Sequence, residues 1–232
     1  MLKTLVAGLA LASSWTWIIG MYLPRIMMER HGWAGFLVFA VPNVIGCTAF
    51  GFVLRKPGAA TALRTQIEGE AKWFSSATIA FHVLFAVFLV KSLLGEDGLS
   101  VPQSEAPVAA GAFLGAAFLL SLLPKSVFPW LGALVWVGSI TLFGLKADTP
   151  ITSAAPCDLN ALWSLPLFTA GLLICPYLDL TFHEVRRSAH HAAFGIFGVA
   201  FALMLLLTVV IWMGDGPRLS PWVLGHLVGQ AL

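Results

Sequence analysis

The chain has 232 residues, 59% of them hydrophobic and 10% charged, where a soluble domain averages about 25% charged. Thirteen basic and eleven acidic side chains are too few to clothe a folded surface of this size in water-compatible groups, so an ordinary soluble enzyme is excluded and most of the surface must face lipid. A net charge of +2 leaves no basic excess for a nucleic-acid partner, and Cys47, Cys157 and Cys175, widely spaced and without a CxxC, indicate neither a disulfide framework nor a zinc site.

A helix crossing about 30 Å of hydrocarbon needs roughly 20 mostly apolar residues. Runs of that kind predict spans near 4–23, 34–54, 73–94, 106–123, 126–145, 161–182 and 192–213, an all-α polytopic bundle. In the first run Lys3 precedes an apolar stretch ending in the small-x-small pattern Ala10-Leu11-Ala12, as a cleaved leader would. Apolar character continues to Leu23, however, which predicts a retained helix. An eighth run starts at Pro221 and reaches Leu232 too soon to span, as though a longer protein had been cut inside a helix. No linker is longer than the loop 55–72, so one membrane domain is expected over 1–232.

A cytoplasmic N-terminus puts Lys3, Arg55, Lys56, Arg64, Lys72, Lys125, Arg186 and Arg187 inside, against Arg25, Arg30, Lys91, Lys146 and Arg218 outside. That excess of inner cations favours this orientation. A multi-pass protein of a bacterial inner (plasma) membrane is the expectation.

Polar residues within the runs are the candidate functional positions. Ser13, Ser14 and Thr16 cluster around Trp15 in span one. Each hydroxyl alone can bond back to its own helix, but three together beside Gly8 and Gly20 suit a locally unwound helix lining a polar cavity, so they are expected to face span six. In span six Pro176 removes a backbone hydrogen bond, which predicts a break between Gly171 and Leu178 around Cys175-Pro176, flanked by Thr169, Tyr177 and Asp179. Asp179 is the one carboxylate deep within an apolar run. It reads either as a functional group or as an interfacial partner of His183 one turn on. Pro42 is a further candidate break, and Asn43 reads first as interhelical glue, with Gly46 and Gly51 offering a close-packing face. His82 in span three reads as a packing residue before a ligand.

The order of these features resembles the amino acid–polyamine–organocation superfamily, transporters of the LeuT fold that include the sodium:solute symporters. The resemblance rests on a first helix interrupted over Ala10–Thr16, the turn Glu29-Arg30-His31-Gly32-Trp33-Ala34-Gly35-Phe36, a second helix to Leu54 bearing Gly and Pro, a basic inner loop, and a second interrupted helix five spans later at Gly171 and Cys175-Pro176. It implies an inverted five-helix repeat, the first over 1–146 and an incomplete second over 160–232, and alternating access at a midplane site. The chain departs from the family in lacking a Gly-x-Gly in span one and three helices of the second repeat.

The resemblance further implies a substrate site at Ser13, Ser14, Trp15, Thr16, Thr169 and Tyr177, ion or proton coupling at Ala12, Ser13 and Asp179, and sodium as the coupling ion. With no other deep carboxylate to hold a cationic solute, a neutral, zwitterionic or carboxylate solute is expected, and neither a catalytic group, a resident metal nor a cofactor. Two rivals are a non-transporting membrane scaffold or sensor and a haem protein using His82, His183 and His226 as axial ligands. No HExxH, Walker lysine motif or GxGxxG supports an enzyme.

Overall fold

The computed structural model describes residues 1–16, 20–94, 106–145, 156–213 and 221–231, and every regular element among them is helical. In chain order these are α1 (Leu2–Trp15), α2 (Met21–Val53), α3 (Ala59–Gln66), α4 (Glu68–Leu94), α5 (Ala106–Ser121), α6 (Phe128–Gly144), a 3-10 turn (Leu159–Ser164), α7 (Leu165–Leu178), α8 (Leu180–Ser188), α9 (Ala192–Met213) and α10 (Pro221–Ala231). Among the described residues three stretches, Met21–Val53, Leu159–Leu178 and Ala192–Val210, are long and apolar enough to cross a membrane, which marks a membrane protein. The sequence predicts seven spans. Leu2–Trp15, Gly111–Ser121 and Phe128–Gly144 are apolar but shorter among the described residues, and the first predicted run is divided between α1 and α2.

The first two expected spans are joined differently from the sequence reading. Helical structure from Met21 onward runs through the predicted outer turn and changes direction at one residue, Gly32, whose φ of 59° and ψ of −150° suit only glycine without strain. The segment before the 3-10 turn is pinned to this kink. Asp158 donates its backbone N–H to the His31 carbonyl at 3.1 Å, and its Oδ2 lies 2.9 Å from His31 Nδ1. That hydrogen bond with His31, helped by the Asn160 N–H, holds the Asp158 carboxyl below the ordinary carboxylate range.

Close approaches fix the directions of the core helices. Gly8 of α1 lies over Ala193 and Ile196 of α9, and Gly132 of α6 lies over Ala10, so α1, α6 and α9 are neighbours. A Cβ on Gly8 would sit 2.7 Å from the Ala193 carbonyl oxygen, a contact that only the missing side chain permits. Gly51 fits against the Phe194 ring and Gly198 against Thr48, which sets the second half of α2 antiparallel to α9. Gly46 fits against Leu172 and Leu173, and Phe39 meets Phe168 edge-on at 5.8 Å, so α7 runs parallel to that half. Lipid removes most of the hydrophobic drive between helices, and packing through such small residues replaces it. α3 and α8 pack on each other at the end of the bundle where α2 and α7 finish.

Candidate functional site

The expected cluster in span one is divided by the structure. α1 is regular through Trp15, and Thr16 keeps right-handed helical angles, with its backbone N–H reaching Ala12 and Ser13. The α-helix is unbroken from Ala12 to Trp15 and gives way to π-helical geometry at Thr16, so the interruption begins at the C-terminal edge of the expected window rather than within it. Ser14 Oγ donates to the Leu11 carbonyl at 2.9 Å and faces outward. Thr16 Oγ1 donates to the Ala12 carbonyl at 2.7 Å. Trp15 donates its indole N–H to Asn43 Oδ1 at 2.8 Å and meets Phe182 edge-on at 5.0 Å. Asn43 is thus the interhelical tie expected of it. Trp17 lies outside the described residues.

Span six also departs from expectation. α7 continues through Thr169, Gly171, Cys175 and Pro176 to Leu178, and the interruption falls at Asp179, whose backbone is extended at φ −82° and ψ 115°. Pro42 likewise sits inside a continuing helix. Pro176 stands three residues before the interruption at Asp179 and removes the hydrogen bond to the Leu172 carbonyl, and this oxygen lies against Gly46, whose missing Cβ would stand 3.0 Å from it. Asp179 begins the next helix instead: its Oδ1 accepts the Thr181 N–H at 2.7 Å, an N-cap on α8. His183 does not pair with it. His183 Nε2 lies 2.8 Å from the Tyr177 carbonyl, and Nδ1 lies 3.1 Å from that of Ala60. Tyr177 packs on Phe50 at 5.1 Å, and Thr169 is half-buried and Gly171 exposed on α7.

The polar residues that converge lie elsewhere. Ser13 Oγ donates to Gln230 Oε1 at 3.2 Å, and Gln230 Nε2 donates to Ser139 Oγ at 3.0 Å. This chain ties α1 to α10 and α6, and all three side chains are buried. One turn before Gln230 on α10 stands His226, 1% exposed, its ring 4.5 Å from that of Phe143. Neither of its nitrogens has a hydrogen-bond partner among the described residues. Thr208 on α9 is also buried with an unpartnered hydroxyl, one turn beyond Met204, which packs with Met21, Phe143 and Leu227. Reading from sequence reaches Ser13 but not Ser139, Thr208 or Gln230, and weighs His226 only as a haem ligand. The available signal is the i, i+4 pair His226 and Gln230 on one face of an apolar run.

Around this seam the chain offers donors and acceptors without a formal charge: two serine hydroxyls, an amide and an imidazole. Such a set can hold the carboxylate or hydroxyl of a small solute, or serine and amide oxygens can face a small cation. α1 packs on α6 and α9 and α7 on α2, so the two segments expected to face each other as broken helices are not among the extensive helix pairs of the described residues. Of the three histidines considered for haem, His183 has both nitrogens against carbonyls and His82 Nδ1 is 2.6 Å from the Thr78 carbonyl one turn back. No protein-family model, curated protein or solved structure matches the chain.

Proposed function

We propose that the protein is a secondary active transporter of a small neutral, zwitterionic or carboxylate solute, coupled to sodium and working by alternating access. The observation that carries this reading is His226, buried with both ring nitrogens unpartnered beside the Ser13–Gln230–Ser139 chain. An orphaned polar group away from water costs about 1 to 3 kcal/mol. A helix bundle built only to persist in lipid would place an apolar side chain there. A bundle that must admit a polar solute and water in another conformation needs such groups, and the described conformation is then the closed one.

Sodium is favoured over protons because Asp179, the one deep carboxylate, is engaged as the cap of α8 at the bundle's edge rather than set in the seam. Coupling through serine and amide oxygens asks for no titrating carboxylate. The N-terminus is taken as cytoplasmic from the distribution of basic residues.

The test is uptake by proteoliposomes holding the whole chain, with sodium and proton gradients imposed separately and alanine, proline and lactate as probes. Sodium-driven uptake that falls at least ten-fold in Gln230→Leu supports the reading. Uptake following the proton gradient alone would assign the wrong ion, and no flux of any probe under either gradient would favour a scaffold or sensor.

A further inference from the structure

A second site lies on the outer surface of the bundle and does not depend on the transport reading. An open groove of about 590 Å³ runs along α9, walled by Leu9, Phe52, Trp136, Gly195, Val199 and Leu203, with His191 at one end. From His191 to Leu203 is twelve residues, about 18 Å of helix rise, close to the half-thickness of the hydrocarbon core and hence to one acyl chain of one leaflet. The walls are apolar along that length, and Trp136 satisfies its N–H on the Ala200 carbonyl at 3.3 Å.

The end at His191 has a different character. The His191 ring stands 5.7 Å from Phe52 and 3.9 Å from His190. Arg186 donates from Nε to the Leu54 carbonyl and from one Nη to that of Arg55, and it forms no ion pair with a carboxylate among the described residues. Glu184, the nearby acid on α8, is paired with Arg187 at 2.8 Å. Desolvation, followed by the positive charges of His190, Arg186 and Arg55, holds the His191 imidazole below its ordinary value. The charges of Arg55 and Arg186 therefore act on the mouth of an apolar groove, where His191 is held toward its neutral, hydrogen-bonding form, at the level where α2 ends and α9 begins.

We infer that this groove binds one anionic phospholipid, with an acyl chain along α9 between Phe52 and Trp136 and the headgroup phosphate at Arg55, Arg186 and His191. Charge complementarity selects the headgroup, because each basic residue near an anionic surface strengthens binding about five-fold. The missing side chain of Gly195 leaves the chain its room. A Cβ there would meet only Phe52, at an ordinary 3.7 Å, so a larger residue at 195 fills the groove without disturbing the helix packing.

The test uses the whole chain in phosphatidylcholine vesicles doped with phosphatidylglycerol or phosphatidylcholine carrying brominated acyl chains. The fluorescence of Trp136 is taken as the difference between the protein and its Trp136→Phe variant. Half-maximal quenching is expected at a mole fraction of phosphatidylglycerol at least five-fold below that of phosphatidylcholine. Arg55→Gln should cut this preference about five-fold, Arg55→Lys should keep it, and Gly195→Leu should abolish quenching by both lipids. Equal quenching by the two lipids, a preference that survives Arg55→Gln, or undiminished quenching in Gly195→Leu would overturn the assignment.

Discussion

Two seams of the bundle use opposite chemistry. Where α2 meets α7 and α9, contact is made by glycines and aromatic rings: Gly46 on Leu172, Gly51 on Phe194, and Phe50 within 5.1 to 5.6 Å of Tyr177, Phe182, His183 and Phe194. Where α1, α6 and α10 meet, two serines and a glutamine bond across the helices and His226 is left unpartnered. The first arrangement mostly fills space, and the Thr48 hydroxyl and the Asn43 amide nitrogen are its buried polar atoms without a partner among the described residues. The second keeps polar atoms in the dry interior at a cost in stability, which is what the proposed transport role would require of it.

If the aromatic seam is the scaffold, breaking it should dominate stability. Phe50 is fully buried, and Phe50→Ala is expected to cost about 3 to 5 kcal/mol, read as a fall in thermal midpoint in detergent. A near-neutral result would mean that α2 and α9 are not held there.

The polar seam should respond in the opposite sense. His226→Phe replaces two orphaned nitrogens with a ring that can pack on Phe143, and it is expected to stabilise the protein by about 1 to 3 kcal/mol while abolishing transport. A destabilised His226→Phe would show that the imidazole is satisfied in the protein as it exists. Gln230→Leu removes two bonds but leaves Ser13 and Ser139 able to turn to their own helices, so stability should move by no more than about 1 kcal/mol. Equal losses in stability from Gln230→Leu and Phe50→Ala would erase the distinction between the seams.

The smallest effect belongs to the tie at the kink of α2. Asp158 is held below the ordinary carboxylate range by His31, so the unfolded chain binds this proton at higher pH than the folded one. The stabilisation is therefore complete above the ordinary carboxylate value and fades as pH falls through the lower, folded one. Asp158→Asn should flatten that acid limb in a thermal scan below about pH 4. An unchanged acid limb would show that the tie adds nothing.

Much of the scaffold is legible in the sequence, because apolar runs and small residues act locally. The runs predict helices, Gly46 and Gly51 mark the close-packing face, and Asn43 reads as the tie that it forms with Trp15. The breaks fall elsewhere than predicted because proline weighs less here than capping. Pro176 stays inside α7, three residues ahead of the interruption, whereas Asp179 ahead of Leu180–Ser188 is an N-cap signal that sequence alone carries. The polar seam is not legible as a unit: Ser13, Ser139 and Gln230 lie 91 and 217 positions apart in the two bonds that join them, and no local pattern predicts such a meeting. Likewise, Ser13, Ser14 and Thr16 look alike in sequence, but of these helix rotation sends only Ser13 into the seam.

The central claim is that the seam between α1, α6 and α10 opens to water. Its most direct test places a thiol at Ser139, buried in the described conformation, as Ser139→Cys in a background with Cys47, Cys157 and Cys175 replaced by serine. A charged methanethiosulfonate reagent, which reacts only where water reaches, should label it in proteoliposomes at a rate that changes when sodium is added. No labelling of the introduced thiol with or without sodium, under conditions in which exposed Cys157 of the native chain reacts to completion, would contradict the account.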